Sequence, residues 1–105
     1  MPQPPNMQQM MRQVQKMQQD MLEAQEALKH EEVDASAGGG MVKVKVNGAE
    51  EIVDIKIEKD VINPDDKGML EDLVLAAVNE GIKKAKKLRE AELAKITGMT
   101  MPGLM

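Results

Sequence analysis

Residues 36–48 of this chain read SAGGGMVKVKVNG, and this stretch indicates how the remainder is organised. Three glycines precede a strict alternation of valine and lysine, which an Asn-Gly pair follows. Alternation with a period of two is typical of a half-buried strand. Glycine and asparagine adopt positive φ at low cost, so the strand is predicted to lie between two turns whose backbone needs positive φ.

Two further strands are predicted around this one. Residues 33–37 alternate weakly between apolar and polar types, which indicates a first strand. After the Asn-Gly turn, Val53, Ile55 and Ile57 are expected to face inward from a third strand. Three strands with one apolar side need a helical cover, so the sequence predicts a small antiparallel sheet with helices packed on it.

A long helix is predicted before the sheet. It is expected to begin at Asn6, a good N-cap that follows prolines, and to run to about His30. At 1.5 Å per residue this helix is about 35 Å long, so it is expected to project beyond the sheet. Its apolar residues fit a heptad seam formed by Met7, Met10, Val14, Met17, Met21, Ala24 and Leu28.

A second long helix is predicted after the sheet. Asn63 is expected to cap it, Pro64 to occupy its first position, and Gly98 to stop it after about Ile96. Gly81 falls within its apolar face, where close approach of another helix would explain a glycine. That face consists of Leu70, Val74, Ala77, Val78, Ala85, Leu88 and Ile96. The predicted fold class is therefore α+β, in the order α-β-β-β-α.

Length and composition limit the organisation of the chain. Its 105 residues are expected to form one domain over residues 1–105, with residues 1–6 and 97–105 as flexible tails. A small chain with two long helices cannot cover its own apolar faces, so a homo-oligomer is expected. No apolar run approaches the roughly 18 residues of a membrane span, and the N-terminus lacks a signal-peptide pattern. We therefore expect a cytoplasmic protein that does not bind membranes.

The residue types needed for catalysis are scarce. There is no cysteine, and the single histidine, His30, has no spaced partner ligand, so it is interpreted as a helix-end residue and not as a metal site. The hydroxyl residues Ser36, Thr97 and Thr100 show no link to a base. We expect no enzymatic activity, no metal, no cofactor and no small-molecule substrate.

The net charge of −4 conceals a polarised distribution. Arg12 and Lys16 stand in a stretch without acids, and residues 83–89 form a second basic block. If the two helices pack antiparallel, both groups are expected at one end of the molecule, away from carboxylates at the sheet end. A basic tip of this kind suits contact with phosphates. The candidate DNA-binding residues are Arg12, Lys16, Lys83, Lys84, Lys86, Lys87 and Arg89.

The same lysines could instead form a solvated helix face. Glu80 precedes Lys84 by four residues, and Lys86 precedes Glu90 by four, which is the spacing of weak helical ion pairs. The absence of Phe, Trp and Tyr removes base stacking, which disfavours single-stranded nucleic acid. Double-stranded DNA therefore remains the predicted nucleic-acid partner.

Two segments resemble a known family. Residues 38–48, GGGMVKVKVNG, and residues 69–79, MLEDLVLAAVN, closely resemble the YbaB/EbfC nucleoid-associated proteins, and residues 98–103 are similar as well. The resemblance implies an α-β-β-β-α protomer, paired through its sheet region into a homodimer with tweezer-like helical arms. It also implies a protein that binds duplex DNA in the bacterial nucleoid without catalysis, with organisation of the chromosome and modulation of gene expression as its expected roles.

Two other functions stay open at the level of the sequence. A prefoldin-like chaperone subunit also places a small β region between two long helices, and the methionines among residues 7–11 could hold unfolded clients. A protein-interaction adaptor would use the lysines only as a solvated face. Binding to random duplex DNA at two salt concentrations distinguishes these alternatives.

Overall fold

The computed structural model describes residues 5–100 of the chain, and the side chains of residues 6–97. Two 3₁₀ turns, Lys59–Val61 and Pro64–Asp66, connect the last strand to the second helix. The order α-β-β-β-α is the predicted one, and the prediction is confirmed. The main elements are α1 (Pro5–Leu28), β1 (Glu32–Ala37), β2 (Val42–Asn47), β3 (Ile52–Ile57) and α2 (Lys67–Thr100).

The sheet is antiparallel with the strand order β1-β2-β3, and α2 packs across β1 and β2. The apolar residues of β2 are fully buried beneath the helix, whereas its two lysines are exposed on the opposite face. This burial is what strict alternation in a half-covered strand predicts. The core consists of Ala35, Val42, Val44, Val46, Ala77 and Ala85, with Val33, Ala37, Leu70, Leu73, Val74 and Val78 packed around it.

Gly81 lies where α2 comes closest to the sheet. A Cβ atom at this position would stand 2.7 Å from Cγ2 of Val46 and 3.0 Å from Cγ2 of Val44. The expectation that another helix approaches Gly81 is therefore wrong, because the neighbours are valines of the chain's own sheet. The small residues Ala77, Gly81 and Ala85 recur every four residues, which allows the helix axis to lie close to β1 and β2.

The two hairpin turns use different chemistry. Gly38, Gly39 and Gly40 all have positive φ, between 63° and 94°, as predicted for the first turn. In the second turn the positive φ of 65° belongs to Glu50, so the prediction of positive φ at the Asn-Gly pair is wrong. Asn47 instead accepts hydrogen bonds at Oδ1 from two backbone amides further along the turn.

Gly48 holds the end of α1 against the sheet. Its backbone N–H donates to the carbonyl oxygens of Leu28, at 2.8 Å, and of Glu31, at 2.9 Å. A Cβ atom at Gly48 would lie 2.6 Å from the carbonyl oxygen of Leu28, so only glycine fits. Leu28 itself is buried, and the seam of α1 is thereby anchored at its C-terminal end.

The third strand departs from the predicted burial. A bulge between Lys45 and Val46 pairs Val46 with Ile52, so Val53 has no partner on β2 and is 46% exposed. Ile55 and Ile57 lie on the helix side of the sheet, but they are 44% and 38% exposed. The prediction that these side chains face inward is therefore correct for the orientation of Ile55 and Ile57, but α2 lies over β1 and β2 and leaves both partly exposed in the protomer.

The start of α2 agrees with the prediction and its end does not. Asn63 accepts a hydrogen bond at Oδ1 from the amide of Asp65, and Pro64 begins the 3₁₀ turn that leads into α2. Gly98 does not stop the helix, which runs to Thr100. Of the predicted tails, residues 5 and 6 and residues 97–100 are helical, and residues 1–4 and 101–105 lie outside the described residues.

The two helices form a long projection, which we call the arm (residues 5–28 of α1 and 89–100 of α2). They run antiparallel, since Met17 of α1 shares a depression with Ile96 of α2, whereas Gln25, later in α1, shares one with Arg89, earlier in α2. Met17, Met21 and Ala24 are half-buried, whereas the seam residues Met7, Met10 and Val14 are more than 50% exposed. The chain measures 79 × 24 × 16 Å. Within residues 5–100, neither helix has the length and apolarity that crossing a bilayer requires.

Candidate nucleic-acid interface

Three of the candidate cations lie on the arm, Arg12 and Lys16 on α1 and Arg89 at its base on α2. Arg12 and Lys16 are both exposed, on the N-terminal half of α1. Lys16 shares a depression with Asp20 and Glu23 of α1 and with the C-terminal part of α2. Glu23, which was expected at the sheet end, therefore lies on the arm together with a cation.

The candidate lysines of α2, within residues 83–87, lie beside the sheet and not at the end of the arm. Nζ of Lys84 donates a hydrogen bond of 2.9 Å to the backbone carbonyl of Asp34 on β1, and the adjacent Ala85 is buried in the core. Arg12 precedes Leu28, where α1 meets the sheet, by 16 residues, or about 24 Å at 1.5 Å per residue. The expectation that all seven cations share one end of the molecule is therefore wrong.

The cations lie apart because the first half of α2 covers the sheet and does not belong to the arm. The first half of α2, to Ala85, packs on β1 and β2, and the helix contributes to the arm only from about Arg89. Arg89 lies near Gln25 and Lys29 of α1, at the junction of arm and sheet. Antiparallel helices were predicted correctly, but the offset between them was not.

The two sides of α2 differ in character. Lys83, Lys84 and Lys87 lie on the side that overhangs β1, because Lys84 reaches the edge of that strand. We call these three residues the lysine flank. At 100° per residue, Leu75 and Ile82 lie on the other side, toward β3, and we call them the apolar flank. Lys86 points away from the sheet on the same half of α2 as the apolar flank, about 40° around the helix from Ile82, and it is exposed.

The candidate cations retain their charge for a partner. Among the described side chains, ion pairs join Lys29 to Glu26 and Lys95 to Glu92, and none involves a candidate DNA-binding residue. The helical pairs of Lys84 with Glu80 and of Lys86 with Glu90, which a purely solvated face would use, are not formed. The Lys84 hydrogen bond ends on a neutral carbonyl, so that ammonium group also stays uncompensated.

A basic group that the sequence reasoning did not identify lies on the sheet face opposite α2. Lys43, Lys45 and Lys56 project from this face, and Lys84 lies at its rim with Asp34. Strand alternation already placed the first two lysines on one face, but the pairing of β2 with β3 brings Lys56 beside them. We call this surface the outer sheet face; its exposed members are Glu32, Asp34, Ser36, Lys43, Lys45, Asp54 and Lys56.

Among the described residues, no group of side chains is arranged for metal binding or nucleophilic catalysis. No three His, Cys, Asp or Glu side chains among residues 6–97 come together as a metal-binding group. His30 is exposed and follows the end of α1, where its amide donates to the carbonyl of Ala27. What this arrangement can do is present separated ammonium and guanidinium groups to an anion.

The sequence and the fold of this chain are similar to those of known proteins. The profile described as the YbaB/EbfC DNA-binding family matches residues 3–100. A nucleoid-associated protein of Alkaliphilus metalliredigens is 52% identical over 101 residues, which cover 95% of this chain and 89% of that protein. One of Thermodesulfovibrio yellowstonii is 54% identical over 95 residues, with 90% and 83% covered. The crystal structure of the uncharacterized protein HP0035 of Helicobacter pylori matches with a TM-score of 0.73 at 27% identity, covering 81% of this chain and 89% of that one.

Proposed function

This chain belongs to the YbaB/EbfC DNA-binding family, and we therefore propose that it binds duplex DNA through contacts with the phosphate backbone. We place it in the nucleoid, as a nucleoid-associated protein that organises the chromosome and modulates gene expression, without a catalytic step. The observation that carries this proposal is the lysine block of α2, which consists of Lys83, Lys84, Lys86 and Lys87. Its ammonium groups are exposed and free of ion pairs among the described residues. Such groups release counterions from DNA when they meet phosphates.

The composition favours backbone contact over base readout. The chain has no aromatic residue to stack on bases. Its cations stand on helix surfaces, at the lysine flank, at Lys86 and at Arg12 and Lys16 on the arm. Phosphate contacts carry little sequence information, so binding with weak sequence preference is the expected behaviour.

We propose in addition that the protein acts as a homodimer. The apolar flank of α2 and the helix side of β3 form one uncovered apolar surface, which includes Leu75, Ile55 and Ile57. A second copy of α2 fits beside the first, over β3, because the first covers β1 and β2. This arrangement buries apolar side chains in both copies by the same contacts, as a two-fold interface requires.

The exposed area of the protomer supports this dimer. The accessible surface is 8107 Å², whereas a compact monomer of 11.6 kDa has about 5,800 Å². A standard interface needs about 800 Å² from each partner. Pairing through β3 and the apolar flank leaves the lysine flank on the outside and doubles the number of cations that face DNA.

The first prediction concerns the lysine block. Changing Lys83, Lys86 and Lys87 together to Ala is expected to lower affinity for a random-sequence duplex by roughly 10²-fold at 0.1 M salt. The slope of log K against log salt is expected to fall by about 3 for each protomer that contacts the duplex, or about 1 for each phosphate contact. Fluorescence anisotropy over a series of salt concentrations measures both quantities.

The matched control is the same triple change to Arg, which keeps the charge and is expected to keep most of the affinity and slope. If the alanine variant binds with unchanged affinity and unchanged slope, the assignment of these three lysines is wrong. Loss of binding in both variants would show that something other than charge is required at these positions.

A chaperone function is the second candidate, and one observation favours it. Met7, Met10 and Val14 are more than half exposed on the arm and form an adaptable apolar stripe. A prefoldin-like subunit would use such a stripe to hold unfolded clients. Suppression of client aggregation, with no binding to duplex DNA, would establish this function over the first. An adaptor would show neither activity.

A further inference from the structure

The outer sheet face carries two lysines directly opposite one another. In the register of the sheet, Lys43 of β2 pairs with Lys56 of β3. Side chains of such a pair have Cβ atoms about 4.5–5.5 Å apart, and like charges at this spacing destabilise a sheet. Lys45 follows on the same face, about 7 Å along β2 from Lys43. Neither Lys43 nor Lys56 has an ion pair among the described residues.

The carboxylates on this face do not neutralise that pair. Asp34 and Asp54 both stand opposite Lys45, one on each neighbouring strand. Lys43 is opposite Ser36 on β1 and Lys56 on β3, so its cross-strand neighbours provide no negative charge.

Other carboxylates lie at the ends of this surface. Glu58 and Asp60 share a separate depression with Lys43, beside the first hairpin turn. Glu32 lies at the opposite end of the face, across from Asn47. The excess of positive charge is therefore confined to the row that Lys43 and Lys56 form across β2 and β3.

This surface is continuous with the lysine flank. Nζ of Lys84 is held at the edge of β1 by its bond to the carbonyl of Asp34, and Lys84 lines the same depression as Lys43, Lys45 and Lys56. Lys84 therefore connects the lysine flank to the depression on the outer sheet face, past Asp34 at the edge of β1. The proposed dimer covers the other side of the sheet and leaves this face open.

We propose that the outer sheet face is a second phosphate-binding surface, on which Lys43 and Lys56 contact the backbone of the bound duplex beyond the lysine flank. This inference rests on the proposed DNA-binding function and adds a location to it. The free protein contains an unfavourable repulsion between Lys43 and Lys56. A phosphate placed between them relieves this repulsion and so makes binding more favourable. Duplex DNA is the occupant that suits the surface, because Lys84 connects it to the cations already assigned to DNA.

The test compares two double variants with the same net charge. Lys43→Gln with Lys56→Gln removes the opposed pair, and Lys59→Gln with Lys67→Gln removes two exposed lysines outside this surface. The outer-face variant is expected to lower the log-log salt slope by about 2 for each protomer that contacts the duplex, and affinity by tenfold or more at 0.1 M salt. The control variant is expected to leave the slope unchanged. Fluorescence anisotropy on a random-sequence duplex measures both.

Folding is followed separately by thermal unfolding. Removing a pair of opposed like charges is expected to leave the melting temperature unchanged or to raise it, so weaker binding cannot be attributed to unfolding. Asp54→Asn provides an independent test, since it removes a negative charge from the same face and is expected to tighten binding severalfold.

The outcomes separate this inference from the function on which it rests. If the outer-face variant and its control have the same slope and affinity, or if Asp54→Asn has no effect, the outer sheet face does not contact DNA, and the lysine block of α2 retains its proposed role. If the unmodified protein fails to bind duplex DNA, the proposed function is wrong and this inference falls with it.

Discussion

Changing Ile55 and Ile57 together to Asp is expected to convert the protein from a dimer to a monomer. Both side chains lie on the helix side of β3 and are partly exposed in the protomer, so the substitution leaves the buried core intact. In the proposed dimer each new carboxylate would be buried against apolar surface, at a cost of at least ~2 kcal/mol. The two-fold dimer contains four such carboxylates, which together cost about 8 kcal/mol, so the dissociation constant is expected to rise roughly 10⁶-fold.

Sedimentation equilibrium measures the dimer, and circular dichroism verifies the fold of the variant. Lys56→Asp is the matched control, because it changes the net charge by the same amount on the opposite face of the same strand, and it is expected to remain dimeric. Leu75→Glu on the apolar flank of α2, where the side chain is 60% exposed, is expected to dissociate the dimer without touching β3. A stable dimer in both interface variants would contradict the proposed interface.

Changing Gly48 to Ala is expected to destabilise the fold by about 1–3 kcal/mol, which is the usual cost of forcing an atom into a packed site. The added Cβ would lie 2.6 Å from the carbonyl oxygen of Leu28 and 2.7 Å from its Cδ2 atom. Backbone atoms of a helix end cannot move aside as a flexible side chain can. The last turn of α1 must therefore shift, and the hydrogen bond from the Gly48 amide to Leu28 is weakened.

Urea unfolding at a fixed protomer concentration measures this effect, since dimerisation makes apparent stability depend on concentration. Gly68→Ala is the control within the same chain. A Cβ atom at Gly68 meets nothing within 4 Å, and the residue lies in the first turn of α2. Alanine there is expected to stabilise the protein by up to about 1 kcal/mol through helix propensity. Equal effects of the two substitutions would contradict the steric role of Gly48.

Features that depend on neighbouring residues in the chain were predictable. The alternation of β2, the cap formed by Asn63 and the positive φ of the three glycines at residues 38–40 all follow from local backbone preferences, and each is present. The end of α2 is an exception. Glycine lowers helix propensity by about 1 kcal/mol relative to Ala, which did not end the helix at Gly98.

Features that depend on distant residues were predicted less well. The heptad seam of α1 was visible, but only its C-terminal half is covered by α2. Likewise, the apolar pattern of β3 marked residues that need burial without showing that the protomer leaves them exposed. An apolar pattern indicates which side chains favour burial, but it does not indicate which helix, strand or second protomer covers them.

The candidate interface shows the same division. The seven cations could be identified because charge is a property of the residue type. The antiparallel direction of the helices could be inferred from the order of helix, sheet and helix along the chain. The sequence did not show that Lys84 lies against β1, or that Lys56 joins Lys43 on the outer sheet face. The spacing of Ala77, Gly81 and Ala85 was the one signal that could have placed the lysine block beside the sheet.

The elements, their order and the charges they carry follow from the amino-acid sequence alone, because periodicity, caps and glycine positions act over a few residues. The positions of those charges relative to one another depend on tertiary packing. The offset of α2 on the sheet is set by the fit of small helix residues against Val44 and Val46, and the register of β3 is set by a bulge. Both result from packing between segments far apart in the chain, which local preferences do not specify.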